Sequence, residues 1–317
     1  MKKTETQNDA QNENIFAGVW PALLTPIDKN GDPDFNVLES LVELMIEQGL
    51  GGLYLLGSTG QGFLLKHEDR KKIVEVVSAV NSGRLPLIVQ VGSLTTAESV
   101  LLTQHATKCG VDGISSVGPI YYSSTGSSEM TLKHYEEIAG STDLPFFPYQ
   151  LGDKVASGNV QDFIDRLAKI PNCKGMKLTT NNLLEISAIA NASKGQLDLF
   201  SGSDELMCHA SLCGTIGAIG STYNLWGSEC AKVRKSFVEG DFHLGSSFML
   251  TFQEVIARVL PNFWGFIRQA MQLRYKLDIG MPIPPLGNVN TQMPEKLVME
   301  LVEQVSNAAD YKILQST

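Results

Sequence analysis

The sequence lacks the features that mark membrane, secreted and nucleic-acid-binding proteins. No apolar run reaches the roughly 18–20 residues that a membrane-spanning helix requires. After two lysines the N-terminus runs polar to Asn14 with no apolar segment, so residues 1–14 are predicted to be a disordered tail rather than a secretory signal. The net charge of −9 disfavours nucleic acid and anionic membranes as partners, although a local site can still bind an anionic small molecule.

The sequence also lacks clustered cysteines and histidines. Its five cysteines are dispersed and include no CxxC pair, which favours a reducing, cytoplasmic compartment and cysteines that act as small buried hydrophobic residues. Its five histidines form no HxH or HxxxH arrangement. We therefore expect neither a metal site nor a Ser–His–Asp triad.

What the sequence does contain is a regular alternation of short, β-rich apolar runs with longer amphipathic segments. The centres of the apolar runs lie roughly 20–35 residues apart, which is the length of one β/α unit. The eight predicted strands cover residues 18–24, 52–56, 86–91, 113–117, 144–149, 175–178, 197–200 and 216–219.

The segments between these runs have helical periodicity, most clearly at residues 35–48, 66–80, 96–108 and 160–169. Because each strand is followed by a helix and no GxGxxG follows the first strand, the pattern favours a closed TIM (β/α)₈ barrel over an open doubly wound sheet.

The C-terminal third of the chain is predicted to be helical. Helix is expected from Tyr223 to about residue 277, with a break at Pro261, and again over 294–305. We therefore predict a single domain. Its barrel core covers residues 15–225, and residues 226–317 add the last barrel helix and a C-terminal helical extension that could serve subunit contacts.

Lys177 is the most informative candidate residue. TIM barrels carry their active sites at the C-terminal ends of the strands, and Lys177 lies near the end of a largely apolar strand, in CKGMKLTT. A lysine in the barrel mouth loses solvation, which lowers its pKa and frees the amine to form an imine with a ketone. The alternative is a lysine at a sheet edge or one in a salt bridge.

Two further strand ends carry suitable groups. Ser58 and Thr59 are flanked by glycines, so their hydroxyl and N–H groups could bind a carboxylate, although a plain βα turn would have the same composition. Tyr149 ends the strand before that of Lys177, and its phenol could shuttle protons. A tyrosine that only caps the barrel is the alternative.

Taken in order and at these spacings, the motifs resemble the dihydrodipicolinate synthase and N-acetylneuraminate lyase superfamily of pyruvate-dependent class I aldolases, over about Phe16 to Val305. The carboxylate loop appears as GSTGQG (57–62), the paired tyrosines as PIYY (119–122), and the lysine in GMKLT (175–179). GSTYN (220–224), SGSDE (201–205) and SSVGPIYY (115–122) are more similar to the N-acetylneuraminate lyase branch.

The resemblance implies reversible cleavage of N-acetylneuraminate to N-acetylmannosamine and pyruvate, through an imine on Lys177 and without another cofactor, in a homotetramer. It implies that Tyr149 is the general acid–base, that Ser58 and Thr59 hold the pyruvate carboxylate, and that Tyr122 acts near or across a subunit interface. The residues expected to contact the sugar are Thr179, Gly202, Asp204, Glu205, Gly220 and Ser221.

Three positions depart from the family pattern. Gln61 replaces the usual glutamate, and Ser203 stands where the sialic-acid branch often has tyrosine. Lys154 matches neither the arginine of dihydrodipicolinate synthases nor the aliphatic residue of the other branch. Two alternatives therefore stay open: a dihydrodipicolinate synthase or other 2-keto-acid aldolase, and a non-catalytic paralogue that binds sugar or pyruvate.

Overall fold

The computed structural model describes residues 14–121, 128–152, 159–287 and 292–310, so the tail predicted over residues 1–14 lies outside it except for Asn14. The strands are β1 (Gly18–Pro21), β2 (Leu53–Leu55), β3 (Leu87–Gln90), β4 (Gly113–Val117), β5 (Phe146–Leu151), β6 (Gly175–Thr179), β7 (Asp198–Ser201) and β8 (Thr215–Gly220). The helices are α1 (Phe35–Ile46), α2 (His67–Asn81), α3 (Thr96–Lys108), α4 (Ser128–Ala139), α5 (Val160–Leu167), α6 (Leu183–Ala192), α7 (Met207–Leu212), α8 (Tyr223–Val238), α9 (Phe242–Val259), α10 (Phe263–Tyr275) and α11 (Glu295–Ala309).

The eight strands form a closed parallel barrel. β1 pairs with β8, and the order then runs back through the chain to β2, with parallel register throughout. A parallel bridge between Ala22 and Tyr54 joins β1 to β2 and completes the ring. The prediction of a TIM (β/α)₈ barrel is confirmed, and the open doubly wound sheet is wrong, because such a sheet would keep two unpaired edges.

Side-chain caps account for where several barrel helices begin. Asp34 accepts a hydrogen bond from the N–H of Val37, and Thr95 accepts one from that of Glu98. These bonds satisfy N–H groups that the first turn of a helix leaves without partners. The bounds predicted for α3 agree with the structure, and most other boundaries shift by a few residues.

The interior of the barrel contains an aromatic cluster. Phe16, Trp20, Phe147 and Phe200 pack inside the barrel, with ring centroids 5.0 to 6.2 Å apart. Phe200 is the cross-strand neighbour of Lys177, so the lysine shares the inward face with these rings.

The C-terminal helices pack outside the barrel as predicted. Pro261 lies in a short 3₁₀ turn, Leu260–Asn262, and separates α9 from α10, which confirms the predicted break. A second break, between α8 and α9, was not predicted. It occurs at Gly240, whose φ of 108° is incompatible with a continuing right-handed helix.

The described residues include no helix that is both long enough and apolar enough to cross a membrane. All five cysteines are free thiols, and Cys208 and Cys230 are buried.

Candidate active site

The amine of Lys177 lies between two tyrosine rings inside the barrel. Lys177 is only 4% exposed, and its Nζ lies 4.3 Å from the centroid of the Tyr54 ring and 4.3 Å from that of the Tyr149 ring. Burial lowers the pKa of the amine, although the nearby Tyr149 and Asp204 oppose the shift. The interior position excludes a sheet-edge lysine, and the lowered pKa favours the free amine that imine formation needs.

Tyr149 is the cross-strand neighbour of Lys177. Thr179 Oγ1 donates a hydrogen bond to the phenol oxygen of Tyr149 at 3.4 Å. Burial raises the pKa of this phenol, but the Lys177 ammonium and hydrogen bonds from Thr179 and Ser58 lower it by more, so the net shift is downward. An amine and a phenol whose pKa values are both lowered can exchange a proton within one site.

Tyr54 is a component of the site that the sequence did not predict. Its hydroxyl is hydrogen-bonded to Ser115 Oγ at 2.9 Å, and its ring meets that of Tyr149 edge to face with centroids 6.3 Å apart. Burial raises the pKa of Tyr54 well above the usual value, so the phenol stays neutral. Tyr54 therefore forms an aromatic wall for the amine.

The Ser58–Thr59 loop lies at the end of β2. Ser58 is exposed, whereas Thr59 is buried and its Oγ1 is hydrogen-bonded to Ser221 Oγ, 2.5 Å away, in the loop after β8. Thr25 Oγ1, after β1, donates to the carbonyl of Gly60 at 2.7 Å. The ends of β1, β2 and β8 are thus joined around this loop.

Gln61 ties the same loop to distant segments of the chain. Its Nε2 donates to the Thr25 carbonyl at 3.2 Å, and its Oε1 accepts from the N–H of Ile283 at 2.6 Å. A glutamate at this position could not donate to the carbonyl unless it were protonated. Gln61 therefore has a structural role at this departure from the family pattern.

Asp204 and Ser221 meet at the ends of β7 and β8. Asp204 is buried. Its Oδ2 accepts two hydrogen bonds from Thr222, one from the backbone N–H at 2.7 Å and one from the side-chain hydroxyl at 2.5 Å. Burial raises the pKa of Asp204 to about 6. A Cβ on Gly220 would lie 1.9 Å from Asp204 Oδ1, so Gly220 is needed for this close approach. One carboxylate oxygen of Asp204 thus already holds the Ser221–Thr222 loop.

Glu205 and Gly202 occupy different environments in the loop after β7. Glu205 is half-buried, and its carbonyl accepts a hydrogen bond from Gln253 Nε2 at 2.7 Å. A Cβ on Gly202 would come within 2.0 Å of Thr179 Oγ1, so the absence of a side chain there makes room for Thr179. Ser203 is buried and donates to the backbone carbonyl of Thr180 at 3.1 Å.

The nine predicted site residues other than Lys177 and Tyr122 lie at the C-terminal ends of β2, β5, β6, β7 and β8 or in the loops that follow these strands. Tyr122 and Lys154 lie outside the described residues. Within the described ranges, no group of three or more His, Cys, Asp or Glu side chains could hold a metal ion.

The whole of this barrel matches a known protein family. The model of the dihydrodipicolinate synthetase family matches residues 15–304. The chain belongs to this family. Its members are pyruvate-dependent class I aldolases, and the chain is accordingly an enzyme of the carbon–carbon lyase class.

Individual relatives cover almost the full chain. N-acetylneuraminate lyase 2 of Escherichia coli O6:H1 is 32% identical over 306 residues, which is 94% of this chain and 99% of the relative. Among solved structures, the Ruminococcus gnavus sialic acid aldolase has a TM-score of 0.86 at 25% identity and covers 94% of this chain and 99% of its own. The N-acetylneuraminate lyase of Mycoplasma synoviae has a TM-score of 0.82 at 26% identity, with the same coverage of 94% and 99%.

Proposed function

We propose that the protein cleaves N-acetylneuraminate reversibly to N-acetylmannosamine and pyruvate. The observation that carries the proposal is the buried Lys177 amine between the Tyr54 and Tyr149 rings. The names of the relatives at 32% identity support the choice of sugar acid.

The chemistry follows from this pair of groups. The Lys177 amine adds to the C2 ketone of the open-chain sugar acid, and loss of water gives a protonated imine. Tyr149 then takes the proton of the C4 hydroxyl. As the C4 carbonyl forms, the C3–C4 bond breaks and its electrons move to the imine nitrogen, which leaves an enamine. Protonation of the enamine at C3 and hydrolysis of the imine release pyruvate and restore the amine.

The loops around Lys177 supply the binding groups. Ser58 and Thr59 would receive the pyruvate carboxylate through hydroxyl and N–H donors. Asp204 and half-buried Glu205 would accept hydrogen bonds from sugar hydroxyls, and Asp204 also keeps Ser221 in place through Thr222. Contacts to the sugar would also come from Thr179, Gly202, Gly220 and Ser221, and Tyr122 would contribute near or across a subunit interface.

Imine formation is tested by trapping. Incubation with pyruvate and borohydride should label Lys177, and peptide mass spectrometry should find the adduct there and not in a Lys177→Met variant. Lys174, three positions away and paired with Asp198 at 3.4 Å, is an internal control that should remain unlabelled. Absence of any adduct would favour a non-catalytic binding paralogue.

The substrate is tested by comparing two reactions. Cleavage of N-acetylneuraminate, followed as pyruvate release, should exceed condensation of pyruvate with aspartate semialdehyde in kcat/KM. The physical reason is that a carboxylate-bearing aldehyde needs a cation, whereas a polyhydroxylated tail needs acceptors and small hydroxyl donors. A higher kcat/KM for aspartate semialdehyde would assign the protein to the dihydrodipicolinate synthase reaction.

We also infer a cytoplasmic homotetramer from the family resemblance and the unpaired cysteines. Light scattering on the purified full-length chain should give four times the monomer mass, and a monomer would contradict the assignment of Tyr122 to an interface.

A further inference from the structure

The carboxylate loop is bracketed by two residues with unusual backbone conformation. Leu56, just before Gly57, has a φ of 59°, and Gln61, just after Gly60, has a φ of 57°. Left-handed conformations are unfavourable for residues other than glycine, which keep them only where their surroundings enforce them. Some contact must therefore hold each end of the loop.

Buried glutamine amides supply both contacts. Gln61 holds its own end through Thr25 and Ile283. At the other end, Gln90 Nε2 donates to the carbonyl of Leu56 at 3.2 Å. Gln90 is 1% exposed and lies two positions after Ile88, a residue of the cluster inside the barrel, so its side chain reaches Leu56 from the interior.

Gln90 is itself held from both sides. Its Oε1 accepts a hydrogen bond from the N–H of Gly92. From α2, outside the barrel, Arg70 Nη2 donates to the Gln90 carbonyl at 2.9 Å and Nη1 donates to the Gly92 carbonyl at 3.0 Å. Arg70 is 2% exposed, and burial lowers its pKa to about 10. A buried guanidinium that binds two carbonyls at one strand end fixes the backbone from which Gln90 reaches the loop.

We propose that Gln90 is a positioning residue for substrate-carboxylate binding: its amide keeps Leu56 left-handed and so orients the Ser58 and Thr59 donors. The inference rests on the proposed function, since it assumes that these donors bind pyruvate. Loss of the Gln90 donor lets the loop relax, which weakens carboxylate binding and leaves the Lys177 amine intact.

The test is Gln90→Met, which keeps the length of the side chain and removes the amide. The pyruvate concentration that gives half-maximal borohydride labelling of Lys177 should rise roughly tenfold, as expected for loss of one hydrogen bond that orients a charged ligand. Labelling by acetone, a ketone without a carboxylate, should be the same in variant and wild type. The KM for the sugar acid should rise more than kcat falls.

Gln269→Met is the matched control. Gln269 also makes one donor and one acceptor bond to backbone, both to Met293 at 2.8 Å, but in the C-terminal layer. It should lower stability and leave the pyruvate dependence unchanged. If Gln90→Met does not fold, Gln90→Asn, whose amide is one methylene too short to reach Leu56, takes its place.

Different results would contradict the proposed function and the positioning role of Gln90. Wild-type protein that gives no adduct at Lys177 contradicts the proposed function. Wild-type protein that is labelled, with a Gln90 variant of equal pyruvate dependence, overturns the positioning role. An equal loss of acetone and pyruvate labelling also overturns the positioning role, because the defect would then lie at the amine. Failure of both Gln90 variants to fold overturns it as well, because the amide would then serve folding as a whole.

Discussion

Two tyrosines contact the same amine, and burial and neighbouring charge shift their pKa values in opposite directions. Burial raises the pKa of Tyr54, whose hydroxyl is bonded to Ser115. The pKa of Tyr149 is lowered, because the neighbouring ammonium and hydroxyl donors outweigh burial. Tyr149 rather than Tyr54 is thus suited to exchange a proton with the reacting sugar.

Replacement of each tyrosine by phenylalanine separates these roles. Tyr149→Phe keeps the ring beside Lys177 and removes the proton carrier, so kcat should fall by about 10²–10⁴-fold, the usual contribution of general acid–base catalysis. Tyr54→Phe is the matched variant. It loses only the hydrogen bond to Ser115, so its kcat should fall by less than about tenfold. Steady-state pyruvate release measures both, and similar losses in the two variants would contradict the assignment of the proton carrier.

Because Asp204 is buried, ionisation of its carboxyl group destabilises the folded state, so the stability of the protein depends on pH through this group. Its pKa is about 6 in the folded chain against an ordinary 3.8. The folded state therefore retains a proton that the unfolded state has lost, so this group's contribution to stability is complete below about pH 4 and is lost as the pH rises through about 6. Asp204→Asn, which keeps an acceptor for Thr222, should flatten this decline. Thermal unfolding of both proteins at several pH values between about 4 and 7 measures the effect, and parallel curves would argue against it.

At the scale of elements, the sequence predicted where the strands end, but it predicted only in part which residues face the barrel interior. Period-2 alternation cannot be read from a run such as LYL in β2, where every residue is apolar, so Tyr54 could not be assigned to the interior. Tyr149 and Lys177 were placed together because consecutive parallel strands end at the same face of a barrel, and their register agrees.

The packing of β6 against the loop after β7 gives a prediction at this scale. In Gly202→Ala the new methyl group would lie 2.0 Å from Thr179 Oγ1 and must displace it from Tyr149. We expect kcat to fall roughly 10–100-fold, since displacement of a catalytic group by about 1 Å costs this much. Gly140→Ala, at the end of α4, is the control and should have normal kcat. Normal turnover in Gly202→Ala would mean that the bond between Thr179 and Tyr149 is not used in catalysis.

Across the whole molecule, the contacts hardest to predict were hydrogen bonds between distant segments. Gln61 binds Ile283, 222 positions away, and Asn224 Oδ1 accepts from the N–H of Leu24, 200 positions away, at 3.1 Å. Such bonds depend on loop positions that are set only when the barrel closes, and hydrophobic periodicity does not predict them. The residue types were visible in the sequence, but their partners were not.

A buried carboxylate, Glu229, links helices of the C-terminal layer. Its contribution to stability changes with pH in the direction opposite to that of Asp204. Glu229 of α8 accepts hydrogen bonds from Arg274 Nη2 of α10 and from Ser306 Oγ of α11, both at 2.6 Å. Burial raises the pKa of Glu229, but these two partners lower it by more, so the net shift is downward from 4.5. The stability that this group supplies is therefore present above about pH 4.5 and is lost as the pH falls through its folded pKa.

Glu229→Gln should expose this dependence. The amide keeps the shape of the side chain and leaves the partly buried Arg274 charge without its counter-ion, so the free energy of unfolding near pH 7 should fall by roughly 1–3 kcal/mol. At acidic pH the difference from wild type should shrink, because the wild-type carboxylate is then protonated as well. Thermal unfolding at both pH values measures this, and borohydride labelling of Lys177 at low temperature should be unchanged, since the pair lies outside the barrel. An equal loss of stability at both pH values would show that Glu229 contributes through packing and not through its charge.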